Sequence, residues 1–223
     1  GDARKGIVPN PDFPCILGWD PGAVNNAIIF LQCLVGAEKS LWTVFDEFVS
    51  VNKKLPYTTI IPLLYRKMRS WEHKVGKSLK WVHVSDNSAF NQYRAKTGSY
   101  DVKDIEEISR AKCGLFDMEP IRMRAAPKFS GSVAGRVRLL ISKLTSEEIM
   151  ISAQCTDILK MLRNLTSEKP RDGKYDPNLE LRPQRSVYLH SFDALTYPLM
   201  YFDVGVGTPS VTTADSQIIE INA

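Results

Sequence analysis

The sequence predicts an α/β protein: a mixed central sheet with helices on both faces. Two observations carry the prediction. Three strand-like runs joined by short links open the chain, and strand-like and helix-like stretches alternate after them.

The first run, residues 13–19, lies within Pro14-Cys15-Ile16-Leu17-Gly18-Trp19-Asp20-Pro21-Gly22, and Pro21-Gly22 cannot continue a strand. The second spans 25–34, with Ala27 to Leu31 apolar, at hairpin distance. The third, 40–50, is rich in β-branched and aromatic residues, so the three predict an antiparallel meander. Pro56 then opens a helix whose apolar residues Ile60, Ile61, Leu64, Tyr65, Met68 and Trp71 recur at helical spacing, with Pro62 in about its first turn. Residues 79–86 read as a strand ending in a second aspartate, Asp86. Asn87 or Ser88 caps a short helix running to about Lys96, and a polar, helix-prone stretch follows to Cys113. A strand at 120–126 ends at Pro127. Ser130 or Ser132 begins a helix with Val133, Val137, Leu140, Ile141 and Leu144 on one face. A short strand at 149–152 leads to a helix at about 154–164, a polar loop at 166–186 and a final helix at 187–202. The tail from Asp203 shows no periodicity. The order β-β-β-α-β-α-β-α is that of the ribonuclease H-like fold, one of several compatible with it.

A chain of 223 residues, 43% hydrophobic and 24% charged, predicts one globular domain with its core at about 13–202 and a tail at 203–223. No apolar run approaches the ~20 residues that span a bilayer, so no membrane is expected. Cys15, Cys33, Cys113 and Cys155 are scattered among mostly apolar neighbours, which predicts buried thiols rather than zinc or disulfides. The net charge of +4 permits an anionic partner without requiring one.

The chemistry concentrates in aspartates. Asp20 closes an apolar run, and burying such a charge needs compensation, for which a cation is one candidate and a turn cap another. Asp86 repeats the pattern, with a helix N-cap as its competing role. If the first and fourth strands are neighbours, the two carboxylates meet at one sheet edge and repel. His190 and Asp193, three residues apart, share a face of the last helix, with Phe192, Leu195 and Leu199 packing inward. Three carboxylates from two strands and a helix can hold two divalent ions, and hard oxygen ligands select Mg²⁺ or Mn²⁺. Asp46 and Glu47 are rival acids, for which a solvated strand end or a salt bridge is the preferred reading.

A basic set accompanies them. Arg122 and Arg124 alternate along one strand and share a face. Lys128 and Ser130-Gly131-Ser132 lead into a helix carrying Arg136 and Arg138, where a lysine before a helix start suits a phosphate. The 166–186 loop adds Lys174 among other cations, partly offset by acids. Such contacts give salt-sensitive binding that is independent of DNA sequence.

Taken in order, Gly18-Trp19-Asp20-Pro21-Gly22, Val84-Ser85-Asp86-Asn87-Ser88-Ala89, Lys128-Phe129-Ser130-Gly131-Ser132-Val133 and His190-Ser191-Phe192-Asp193-Ala194-Leu195-Thr196-Tyr197 resemble the nuclease domain of a tailed-bacteriophage large terminase subunit over about 13–202. The resemblance implies a ribonuclease H-like fold and metal-dependent endonucleolytic cutting of concatemeric double-stranded DNA. It implies Asp20, Asp86 and Asp193 as metal ligands, His190 as an additional one, and Lys128 and the loop before the last helix as DNA contacts. It also implies an ATPase motor on the same polypeptide, a portal and a small terminase subunit as partners, and the host-cell cytoplasm, rather than the virion, as the place of action. No Gly-x-x-x-x-Gly-Lys-Ser/Thr loop occurs, so ATPase activity is not expected of this chain, which fits a separately expressed nuclease domain. The alternatives are a Holliday-junction resolvase or other ribonuclease H-like nuclease, and a non-catalytic DNA-binding or motor-docking module. An actin-like or sugar-kinase ATPase would need a second glycine-rich phosphate loop, which the Asp193 region does not offer. The carboxylate reading predicts that Asp20→Asn and Asp193→Asn abolish cutting without unfolding the chain, with relief of repulsion raising the thermal midpoint.

Overall fold

Residues 6–22, 25–36, 39–50, 53, 55–91, 93, 94, 99–127, 132–166 and 186–203 are described by the structure, a computed structural model. The three opening runs form β1 (Cys15–Asp20), β2 (Asn26–Val35) and β3 (Ser40–Ser50), paired antiparallel in succession. A register shift at Phe30/Leu31 leaves Phe45 as the extra residue of β3, a β-bulge. Next come α1 (Tyr57–Val75), β4 (Trp81–Ser85), α2 (Ser88–Asn91), a small antiparallel hairpin of β5 (Tyr93–Arg94) and β6 (Ser99–Tyr100), and α3 (Asp101–Lys112). A 3-10 turn at Cys113–Phe116 precedes β7 (Met123–Ala125), α4 (Ser132–Thr145), β8 (Ile149–Ile151), α5 (Thr156–Asn164) and α6 (Leu189–Asp203). The six-stranded sheet runs β7-β4-β1-β2-β3-β8, with β4 parallel to β1, β7 to β4 and β8 to β3. This is the mixed, ribonuclease H-like sheet that the order of elements predicts. Among the described residues no helix is long and apolar enough to cross a membrane.

Alternation along the central strands divides the core. Ile16, Ala27, Ile29, Val44, Val82 and Val84 face α4, α5 and α6, where Leu140, Ile158, Met161, Phe192, Leu195 and Leu199 meet them. Leu17, Trp19, Ile28, Phe30 and Phe45 face α1 and α3, against Ile60, Ile61, Leu64, Tyr65, Met68, Trp71 and Ile105. All six apolar positions expected on α1 are thus buried. Gly76 ends that helix in the left-handed conformation, φ +74°, and its N–H reaches the carbonyls of Glu72 and His73. Cys15, Cys33 and Cys155 are buried free thiols, and Cys113 is half-buried.

Three expectations change. The helix after Asp86 stops at Asn91, whose side-chain amide turns back to the Asn87 carbonyl (3.1 Å), and a hairpin takes the place of its expected continuation. The strand at 120–126 shortens to Met123–Ala125, the three residues that pair with β4. On α4, Leu140 is buried, but Val133, Ile141 and Leu144 are exposed and Arg136 is buried. The helix is rotated because its contact with α6 is set by a polar pairing.

One close approach positions the site. α6 lies directly on β1 at Gly18, where a Cβ would fall 1.9 Å from the Ala194 carbonyl oxygen and 2.6 Å from Pro198 Cγ. Pro198 has no N–H to bond the Ala194 carbonyl four residues earlier, so that oxygen is left to face the bare Gly18 backbone.

Candidate active site

The parallel pairing of β1 and β4 aligns Trp19 with Ser85, so the next residues, Asp20 and Asp86, end adjacent strands at one edge of the sheet. Seating α6 on Gly18 brings its first turns to that edge, with His190 and Asp193 on the facing side. His190 Nδ1 lies 2.5 Å from Asp20 Oδ2, and its Nε2 is 3.4 Å from Asn25 Nδ2. Ser88 Oγ donates to Asp86 Oδ2. Arg136 Nη1 donates to Asp193 Oδ1 at 2.6 Å and to Thr196 Oγ1 at 3.0 Å.

The electrostatics match a crowded acidic edge. Burial pushes the Asp20 carboxyl above the ordinary carboxylate range and the charge of Asp86 adds to it, while His190 and Arg136 pull the other way. Burial likewise raises Asp193 to about 6, with Arg136 opposing and Asp20 adding to the rise. The hydrogen bond to Asp20 raises the His190 imidazole against the effect of its burial.

Three carboxylates and an imidazole at one edge are a donor set suited to a hard divalent ion, and burial plus mutual repulsion is the situation a cation relieves. Among the described residues, however, no three His, Cys, Asp or Glu side chains are grouped closely enough to hold an ion. Each carboxylate is turned toward a protein partner: Asp20 to His190, Asp86 to Ser88 and Asp193 to Arg136. The donors are gathered but not yet closed into a cage.

The rival acids have other work. Asp46 pairs with Lys67 (2.6 Å) and accepts from Trp71 Nε1 (2.7 Å). Glu47 accepts the N–H groups of Asp157 and Ile158 (2.8 and 3.0 Å), capping α5 from the neighbouring strand.

Of the basic set, Arg122 is exposed and Arg124 half-buried, and both line a cleft of about 630 Å³ beside Lys80, Trp81 and His83. Arg136 is the correction. Expected to meet phosphates, it is 7% exposed and spends its guanidinium on Asp193. Lys128, Ser130 and Lys174 lie outside the described residues. The sequence reading also missed Thr196 and Ser88 as partners of the site. A signal for Arg136 existed: it is four residues from Leu140, so it shares that residue's inward stripe, where a charge needs a partner.

No protein-family model and no curated protein matches the chain. Solved structures do. The large terminase of a thermophilic bacteriophage superposes with a TM-score of 0.58 at 15% identity, over 90% of this chain and 42% of that one. The large-terminase nuclease domain of bacteriophage SPP1, a structure with bound Mn, gives 0.53 at 16% identity, over 90% of this chain and 94% of that one. The nuclease domain of the P22 large terminase gives 0.57 at 13% identity, over 89% and 86%. The chain thus spans less than half of the first protein's length and has the ribonuclease H-like fold of large-terminase nuclease domains.

Proposed function

We infer that the chain is a metal-dependent DNA endonuclease, the nuclease domain of a viral DNA-packaging terminase. The observation that carries this reading is the convergence of Asp20, Asp86 and Asp193 from β1, the end of β4 and α6 at one sheet edge. The likeness in fold to terminase nuclease domains, one of them with bound Mn, supports it.

In this reading Asp20, Asp86 and Asp193 hold Mg²⁺ or Mn²⁺, with His190 as an additional ligand or as the group that orients Asp20. When bound, the metal supplies an activated water and stabilises the departing 3′ oxygen. The protein's own part is electrostatic and positional. His190 fixes Asp20 through Nδ1, Arg136 fixes one oxygen of Asp193, and Gly18 lets α6 approach closely enough for both. Arg122 and Arg124, with Lys128, Ser130 and Lys174, would meet the phosphates of double-stranded DNA. The motor domain, portal and small subunit remain partners by proposal, as does action in the host-cell cytoplasm.

The test is cleavage of linear concatemeric duplex against a four-way junction, each with Mn²⁺. Cutting of the linear duplex supports a terminase nuclease. Cutting confined to the junction would assign a resolvase instead.

A further inference from the structure

We propose that the cleft beside β4 and β7 is a single-strand subsite, which takes an unpaired stretch of the DNA that leads to the acidic edge. This deepens the reading above and rests on it.

The cleft exists because β7 is short. β4 begins at Trp81, but β7 pairs with it only from His83 to Ser85. The uncovered start of β4 opens onto a space of about 630 Å³ between α1 and the segment that follows α3. That volume accommodates part of a single strand but not a duplex.

The lining is cationic once its internal pairs are set aside. Arg69 is held by Glu72 (2.8 Å), Asp117 and the Phe116 carbonyl (2.8 Å). Glu72 is buried and also accepts from the Leu79 N–H and from Trp81 Nε1, both at 3.1 Å. Among the described residues Lys80, Arg122 and Arg124 have no acidic partner, and the exposed Glu119 is the remaining acid of the lining.

A buried donor points into the same space. His83 is 5% exposed, and its Nδ1 accepts from Trp19 Nε1 (3.1 Å). Burial keeps the ring neutral near pH 7, so its proton sits on Nε2. That N–H has no partner among the described residues and is not sealed from solvent, so it opens onto the cleft. Beside it, the half-buried Trp81 indole is fixed by its bond to Glu72 and by edge contact with Phe30, 6.2 Å between ring centroids. Cations for phosphates, a neutral donor and a held aromatic ring are the combination that binds single-stranded DNA.

The subsite is in line with the acidic edge. Trp81 precedes Asp86 by five residues, about 16 Å of strand. Arg124 is in register with Val84, between the two, so a strand leaving the edge meets Arg124, then Arg122, then Lys80. An acidic peptide would find the same cations without that continuity.

Fluorescence anisotropy without metal, so that nothing is cut, compares blunt duplex with the same duplex carrying a single-stranded thymidine tail of either polarity. Wild type is expected to bind one tailed form at least about tenfold tighter than blunt duplex. In Lys80→Glu and in Trp81→Leu, the latter checked by thermal melting, that ratio should fall to within about twofold of unity. If Trp81→Leu does not fold, Lys80→Glu decides. A ratio near unity in wild type, or one unchanged in Lys80→Glu, would overturn the subsite. Labelled polyglutamate bound by wild type and lost by Lys80→Glu, with no gain from the tail, would assign the cleft to an acidic protein segment instead. Mn²⁺-dependent plasmid nicking by the same preparation separates the two readings. Cutting without a tail effect removes the subsite alone, whereas neither cutting nor DNA binding removes both.

Discussion

His190 Nδ1 lies 2.5 Å from Asp20 Oδ2, joining the first turn of α6 to the last residue of β1 across the length of the chain. Asp193, one turn further along α6, is instead held by Arg136. The two aspartates share an edge but have different kinds of partner, and their substitutions should differ accordingly.

Asp20→Asn removes a buried charge that burial and Asp86 disfavour, and the neutral amide can still accept from His190. Asp193→Asn keeps an acceptor for Arg136 but leaves the buried positive charge of the guanidinium uncompensated, which costs about 3 kcal/mol. Thermal melting without metal should therefore show an unchanged or raised midpoint for Asp20→Asn and a clear fall for Asp193→Asn. This separates two substitutions that the sequence reading grouped together. Equal falls in both would contradict the assignment of partners.

Gly18→Ala should destabilise the fold by about 3 kcal/mol or more, because the added methyl meets the Ala194 carbonyl and the Pro198 ring with no flexible side chain to give way. Chemical denaturation checks the loss. A variant of wild-type stability would mean that α6 does not lie against β1 as described.

His83 is buried among the aromatic core residues and accepts from Trp19 Nε1 (3.1 Å), and burial lowers its imidazole to about 3. Above pH 6.5 it is neutral whether folded or unfolded. Between about 6.5 and 3 the unfolded chain takes up a proton that the folded chain refuses, so this residue's share of stability is lost as pH falls through that window. The slope approaches about 1.4 kcal/mol per pH unit. Unfolding free energies of wild type and His83→Gln at several pH values should converge in acid, since glutamine keeps an acceptor for Trp19 and does not titrate. A constant gap would contradict the burial of a neutral imidazole.

Arg122→Ala with Arg124→Ala should weaken binding to unrelated duplexes about equally and reduce the salt dependence of binding by roughly two phosphate contacts. Binding isotherms at several salt concentrations measure it. A change confined to one DNA sequence would argue for base contact instead.

Much of the fold was legible because its strands are apolar enough to be read by composition. The bounds of β3 match residue for residue, and the stripe of α1 buries as its spacing predicts. The adjacency of Asp20 and Asp86 followed from strand order. Partnerships fixed by tertiary packing were not legible. Of the stripe expected on α4, Leu140 and Val137 meet the core while Val133, Ile141 and Leu144 are exposed, and Arg136 turns inward to Asp193 in their place. The hairpin at Tyr93–Arg94 and Ser99–Tyr100 was hidden for a related reason: two-residue strands carry no periodicity.

Asp20 is proposed to belong to a metal-dependent site that cuts DNA. Nicking of supercoiled plasmid by wild type and by Asp20→Asn, with and without Mn²⁺, tests it most directly. Nicked and linear products are expected only for wild type with the ion. Equal cutting by both proteins would contradict it.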